Sequence, residues 1–178
     1  SFLKKHESKN DNVSEPKALQ LKNTPKDICH SLYDNNSFLL PGANKWVYIK
    51  IYCTRDSADA LISNEMYDFC KFLCDSKLID RYFFIRYLDP DFHIRLRLKL
   101  LQSLDTILPY LSKWQNEIKK TYFVSKIQID TYVRETWRYG GLKVIDLAEE
   151  VFFRDSEVII QAIQGNRFCS LDNDNDVL

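Results

Sequence analysis

The sequence predicts an α+β fold in which an antiparallel sheet carries its helices on one face. Three observations predict it. Four segments alternate apolar and polar side chains with the period of two that a half-buried strand shows. Two segments repeat apolar residues at intervals of three and four, the period of an amphipathic helix. Along the chain they run strand, helix, strand, strand, helix, strand.

The composition permits one such domain. The chain has 178 residues, 45% of them apolar and 13% aromatic, enough to bury a core. Its 25 basic and 25 acidic residues balance, which argues against wholesale attraction to nucleic acid or membrane and makes any basic site a local arrangement. No apolar run approaches the roughly 20 residues of a membrane span, and SFLKKHESKN lacks the apolar core of a signal peptide, so a soluble, cytoplasmic chain is expected. Cys29, Cys53, Cys70, Cys74 and Cys169 form no CxxC pair; Cys70 and Cys74 lie one helical turn apart, and all read as packing residues with no metal site expected. The initial Ser and the acidic close read as a piece of something longer.

Residues 1–27 are rich in Lys, Asn, Ser and Glu without a period, and with the segment from Ile28 to Leu40 and Pro41-Gly42 they make residues 1–44 a lead-in. Trp46 to Cys53 sets Val47, Ile49, Ile51 and Cys53 against Trp46, Tyr48, Lys50 and Tyr52, a first strand. Asp56 or Ser57 caps a helix that runs through Leu61, Met66, Phe69 and Leu73 to about Lys77. Arg81 to Tyr87 and Phe92 to Leu100 form a hairpin across the Asp89-Pro90-Asp91 turn. Ser103 to Lys120 is a second helix despite Pro109, and Lys126 to Arg134 alternates as a fourth strand. This is the split βαββαβ order of a ferredoxin-like sheet. Leu142 to Gln164 adds a C-terminal helix, so the domain spans 45–165 and residues 166–178 read as a frayed acidic tail.

In the run FFIRYLDPDFHIRLRLK the third strand points His93, Arg95, Arg97 and Lys99 to one side. Parity carried across the sheet puts on the same open face Tyr48, Lys50 and Tyr52, Arg86 beside Tyr82 and Phe84, and Gln128, Asp130, Tyr132 and Arg134. A bulge in any strand would move half of that strand's set. Trp137-Arg138-Tyr139-Gly140-Gly141 then leads into a helix able to close over this face. Taken alone, the row reads first as a solvated basic strand face with surface ion pairs, and second as a binding site.

The runs WVYIKIY, FFIRYLDPDFHIRLRLK, YVRETWRYGG and AEEVFFRDSE, in this order, resemble the C-terminal elimination domain of lantibiotic dehydratases, the class I lanthipeptide enzymes, from about Lys45 to Glu157. The resemblance implies that a separate N-terminal domain transfers glutamate from glutamyl-tRNA to Ser and Thr of a precursor peptide. This domain would then eliminate the glutamate to leave dehydroalanine or dehydrobutyrine. It implies no cofactor here and no direct contact with nucleic acid. The implied partners are the precursor peptide, the glutamylation domain and, in a biosynthetic complex at the membrane periphery, the cyclase and transporter.

Such an elimination must stabilise an enolate-like charge, hold an anionic leaving group and supply a base. Arginine suits the first two, because its planar fork binds carboxylates and stays charged. The family pattern falls on Arg95 and Arg97 of HIRLR and on Glu135 and Arg138 of RETWRYGG. It implies that Arg97 and Arg138 grip the glutamate or the developing charge, that Arg95 assists, and that Glu135 orients a guanidinium. Arg86, His93, Tyr52 and Tyr132 are the candidate substrate-binding residues; Arg86 reads equally as an ion-pair partner of Asp89 or Asp130, and His93, of a residue type that titrates near neutral pH and so suits a proton carrier, reads more readily as a structural residue near the turn. Glu149, Glu150 and Asp155-Ser156 read as capping or packing. The family's proton-transferring His falls in a later portion with no counterpart here, so the chain alone is expected to turn over weakly or not at all. Two noncatalytic alternatives remain: an open sheet face that stacks single-stranded RNA on Tyr48 and Tyr52, or a docking domain that adds a peptide strand to a sheet edge.

Overall fold

The computed structural model describes residues 38–173. The lead-in over residues 1–37, with Cys29, and the last residues of the acidic tail lie outside the described residues. Within them β1 (Phe38–Leu39), β2 (Trp46–Tyr52), β3 (Ile79–Leu88), β4 (Phe92–Leu100), β5 (Lys126–Asp130) and β6 (Tyr132–Val133) alternate with α1 (Arg55–Leu61), α2 (Tyr67–Asp75), α3 (Leu104–Thr121) and α4 (Leu142–Asn173). The main sheet has the order β3-β4-β2-β5, every pair antiparallel, as the split arrangement requires.

One face of this sheet is the core. Val47, Ile49 and Ile51 of β2 and Ile94, Leu96 and Leu98 of β4, all essentially inaccessible, meet Leu61, Met66 and Leu73 from the first helical segment and Ile107, Trp114 and Ile118 from α3. Phe69 stacks on Trp114 with centroids 4.6 Å apart, locking α2 against α3. Thr54, rather than Asp56 or Ser57, caps α1, accepting the Ser57 N–H at 3.3 Å. Between α1 and α2 the helix widens into a π turn, Ile62–Met66, where Ser63 donates to the Asp59 carbonyl at 2.7 Å.

Three details depart from the sequence reading. The last strand is split: Asp130 accepts the Thr131 N–H at 2.7 Å, ending β5, and β6 pairs instead with β1. The C-terminal helix passes its expected end at Gln164 and runs to Asn173, since an isolated glycine such as Gly165 weakens a helix without stopping it. The parity of β3 is reversed. An extra residue at Asp80 shifts the register between Ile79 and Arg81, and Phe83, Ile85 and Tyr87 stand opposite Arg97, Arg95 and His93 on the open face. Tyr82, Phe84 and Arg86 therefore face the helical layer. Both sides of β3 are aromatic, so alternation alone could not choose between them.

The helix α4 lies against the outer edge of β3 and serves both faces. Ile160 enters the main core and Phe153 packs against it, while Phe152 joins a second cluster of Trp46, Tyr48, Phe83 and Tyr132 on the opposite face. Ser156, buried in α4, accepts the outward N–H of Phe84 at 3.1 Å and donates to the Phe152 carbonyl at 2.8 Å, covering part of the sheet edge.

Candidate functional site

Over the second aromatic cluster opens a cleft of about 660 Å³, floored by β2, β3 and β4 and walled by the 130–139 segment and α4. Its floor is built around Arg97. This side chain is only 8% exposed, and its Nε and Nη1 have no hydrogen-bond partner. Its guanidinium carbon lies 4.7, 5.1 and 4.9 Å from the ring centroids of Tyr48, Phe83 and Tyr132. The rings hold the cation by their π faces without satisfying its N–H groups. Burial, reinforced by nearby Arg95, lowers the Arg97 pKa from the ordinary guanidinium value, with Tyr132 and Tyr48 acting in the opposite direction.

Beside it Arg95 sits over Tyr87, its guanidinium carbon 3.3 Å from the ring centroid. Its Nε donates to His93 Nε2 at 3.0 Å, and His93 Nδ1 meets the Asp91 carbonyl at 2.8 Å. Arg95 Nε can only donate, so Nε2 is the accepting nitrogen and Nδ1–H is the one turned to the Asp91 carbonyl. His93, 1% exposed and tilted against Tyr52 at 4.8 Å, is thus a strut for Arg95 and does not line the cleft.

The opposite wall comes from the RETWRYGG run. Thr136 accepts backbone N–H groups from Tyr139 at 3.2 Å and Gly141 at 2.7 Å, folding the run into a tight loop. Gly140 and Gly141 have φ of 85° and 95°, values that exclude most side chains and explain the glycine pair before α4. The loop presents Glu135 and Arg138 to the cleft, joined by an exposed ion pair of 3.1 Å. Arg95, Arg97, Arg138 and Glu135 thus line one cavity.

Of the other candidates, Tyr132 lines the cleft while Arg86, His93 and Tyr52 do not. Arg86, on the far face of β3, pairs with Asp59 of α1 at 2.5 Å and not with Asp89 or Asp130. The rings required for stacking RNA are engaged: Tyr48 is buried under Arg97 and Tyr52 packs on His93.

Two further arrangements shape the site. Lys50 donates to Asp130 at 2.5 Å; this hydrogen bond first, then the Thr131 N–H, depresses the Asp130 pKa against a burial effect that would raise it, and the same bond raises that of Lys50. Glu149, fully buried, accepts Arg134 Nε at 2.8 Å on one oxygen and Arg134 Nη2 at 2.6 Å on the other, and also the Tyr132 hydroxyl at 3.0 Å. Burial, followed by the Glu149 charge, raises the Tyr132 pKa and keeps the phenol protonated. Sequence reasoning assigned Glu149 to capping or packing. Its position one turn after Ile145 and one before Phe152, on the inward stripe of α4, was the signal that this carboxylate is interior.

Residues 46–177 match the family described as "Lantibiotic biosynthesis dehydratase C-term". The chain belongs to this family. It is 37% identical over 123 residues to the subtilin biosynthesis protein SpaB of Bacillus subtilis, an alignment covering 68% of this chain and 12% of that protein. To the nisin biosynthesis protein NisB of Lactococcus lactis subsp. lactis it is 33% identical over 119 residues, covering 65% and 11%. A solved structure described as the tRNA dependent lantibiotic dehydratase MibB from Microbispora sp. 107891 aligns with a TM-score of 0.66 at 23% identity, over 72% of this chain and 12% of that one. That likeness is one of fold. The chain spans about an eighth of the length of these relatives. No helix among the described residues is long and apolar enough to cross a membrane.

Proposed function

We propose that this domain eliminates glutamate from glutamylated Ser and Thr residues of a lantibiotic precursor peptide, as the second half of a dehydratase whose first half glutamylates those hydroxyls from glutamyl-tRNA. The observation that carries the reading is Arg97, a residue only 8% exposed whose buried Nε and Nη1 are unpartnered, in the floor of a cleft shared with two more arginines. Such a group gives up hydration without recovering it inside the protein, and an anion in the cleft beside the guanidinium offsets that loss through charge. A carboxylate fits, and the leaving glutamate is one.

In the reaction a base takes the α-proton of the esterified residue, the Cα–Cβ double bond forms, and the Cβ–O bond breaks with its electron pair leaving on the glutamyl carboxylate. Arg97 and Arg95 from the floor and Arg138 from the wall stabilise the charge on the enolate and then on the departing carboxylate. Glu135 holds Arg138 in place. Each such contact is worth on the order of 2 to 4 kcal/mol when strongest in the transition state.

The cleft is better furnished for anions than for proton abstraction. Lys50 is held protonated and Asp130 is held as a weakly basic carboxylate by their mutual hydrogen bond, and the Tyr48 pKa is raised by burial against the opposing Arg95, Arg97 and Lys50 charges. The base is therefore supplied from outside this set, and the isolated chain binds glutamylated peptide without rapid turnover. The test joins the domain to a glutamylation domain and follows the precursor by mass spectrometry. Arg97→Ala and Arg138→Ala should accumulate glutamylated peptide; full dehydration by both variants would refute the reading.

A further inference from the structure

The outer edge of β3 is open where it passes the cleft. β3 is the terminal strand of its sheet. The Phe84 N–H points outward to Ser156, so by the alternation of an antiparallel strand the N–H and C=O groups of Arg86 and Leu88 point outward too, beyond the end of that cover. Ile85, Tyr87 and Leu88 are exposed along this stretch, at 44%, 39% and 57%. A groove of about 480 Å³ follows the edge, lined mainly by Phe84, Ile85, Arg86, Phe152, Asp155 and Ile159. Ile85 and Phe152 also line the cleft, so groove and cleft adjoin across these two side chains.

From these features we propose that the peptide substrate binds as an added strand along the free edge of β3 at Arg86–Leu88, with the residue to be modified opposite Ile85. The proposal rests on the elimination reading for the identity of the modified residue. Main-chain pairing of this kind takes up one strand's outward groups and leaves alternate side chains of the guest on each face. A guest residue pointing to the open face continues the cross-strand row Ile85, Arg95, Lys50. At a strand spacing of about 4.8 Å its Cα lies two spacings, roughly 9 to 10 Å, from that of Arg95. An O-glutamyl side chain extended along the floor spans roughly 8 Å at bond lengths of about 1.5 Å, bringing its carboxylate to the guanidinium groups of Arg95 and Arg97. Backbone recognition also gives affinity without demanding particular neighbours, which suits a catalyst that must act on several positions of one peptide.

The 178-residue chain and a short synthetic peptide test this. Its central residue is diaminopropionate bearing an amide-linked glutamyl group, which cannot eliminate; the companion peptide carries acetyl instead. Affinity is measured by fluorescence anisotropy for a series with one N-methylated amide at each position. Edge pairing predicts a loss of about five- to tenfold at every second amide and little change at those between, each lost bond being a single backbone contact. On the protein side, Arg86→Pro removes an outward N–H at an edge position that tolerates proline and should weaken binding, whereas Arg86→Ala, which also loses the Asp59 ion pair, should not. Uniform tolerance of N-methylation, no binding by either peptide, or a concentration-dependent dimer of the chain abolished by Arg86→Pro would each overturn the proposal. If the alternation holds while glutamyl and acetyl peptides bind equally, edge docking stands and the elimination reading fails.

Discussion

Replacing Arg97 by methionine should move stability and function in opposite directions. The guanidinium is buried, two of its nitrogens are unpartnered, and its favourable contacts are with the faces of Tyr48, Phe83 and Tyr132. Those cation–π contacts together contribute about 1 to 2 kcal/mol in a desolvated setting. Against this, each unsatisfied buried donor is unfavourable by about 1 to 3 kcal/mol. A methionine of similar length keeps the aliphatic packing, adds sulfur–aromatic contact and removes both orphaned donors. The variant should therefore be neutral to about 3 kcal/mol more stable in urea denaturation, with a midpoint temperature unchanged or several degrees higher, at about 2 to 4 °C per kcal/mol for a chain of this size. Elimination in the domain joined to its glutamylating partner should fall about 100- to 1000-fold, with glutamylated peptide accumulating. Destabilisation by more than about 2 kcal/mol, with activity tracking only the folded fraction, would show that Arg97 serves the fold and refute the reasoning.

The buried Glu149 makes the contrasting case: Glu149→Gln leaves Arg134 paired with only the exposed Asp146, 2.5 Å away, and should destabilise the chain by about 1 to 3 kcal/mol in urea, since the buried partner's charge is lost. For Asp130 the sign follows from the depressed pKa: its contribution is present above the ordinary carboxylate value of 3.8 and is lost as pH falls through the lower folded value. The raised Lys50 pKa likewise gives a contribution present below 10.5 and lost above it, so wild type and Asp130→Asn should differ by a constant amount between those limits and converge below pH 4, as read by denaturation across pH. Ser156→Ala orphans the Phe84 N–H and should cost about 1 to 3 kcal/mol, with faster hydrogen exchange at that amide. Glu135→Gln breaks only an exposed pair, so stability should change by less than about 0.5 kcal/mol while elimination slows.

Much of the candidate site was legible because the sequence happens to be unambiguous along the strands that build it. In FHIRLRLK one side of β4 is wholly apolar, so the basic side can only face away from the core, and Arg95 and Arg97 follow. The same logic placed Lys50, Asp130 and Tyr132 correctly from β2 and the last strand. It failed for Arg86, because β3 offers aromatic residues on both sides and an extra residue at Asp80 breaks any count from its start. His93 sits on the expected face, yet its ring nitrogens are engaged by Arg95 and Asp91, a fact of contact that no spacing reports.

By itself the sequence determined the periodicities, and through them the split βαββαβ order, the core face and the basic row, because local alternation against a single core leaves one low-energy choice per strand. Tertiary structure alone decided which groups remain unpaired. Glu149 comes from α4 to neutralise Arg134, Asp130 neutralises Lys50, and Asp59 neutralises Arg86, leaving Arg97 ringed by aromatics with donors to spare. Whether a charge is spent inside the protein or kept for a ligand depends on what distant segments bring within about 3 Å of it, and that distance is set by packing rather than by neighbours in the chain.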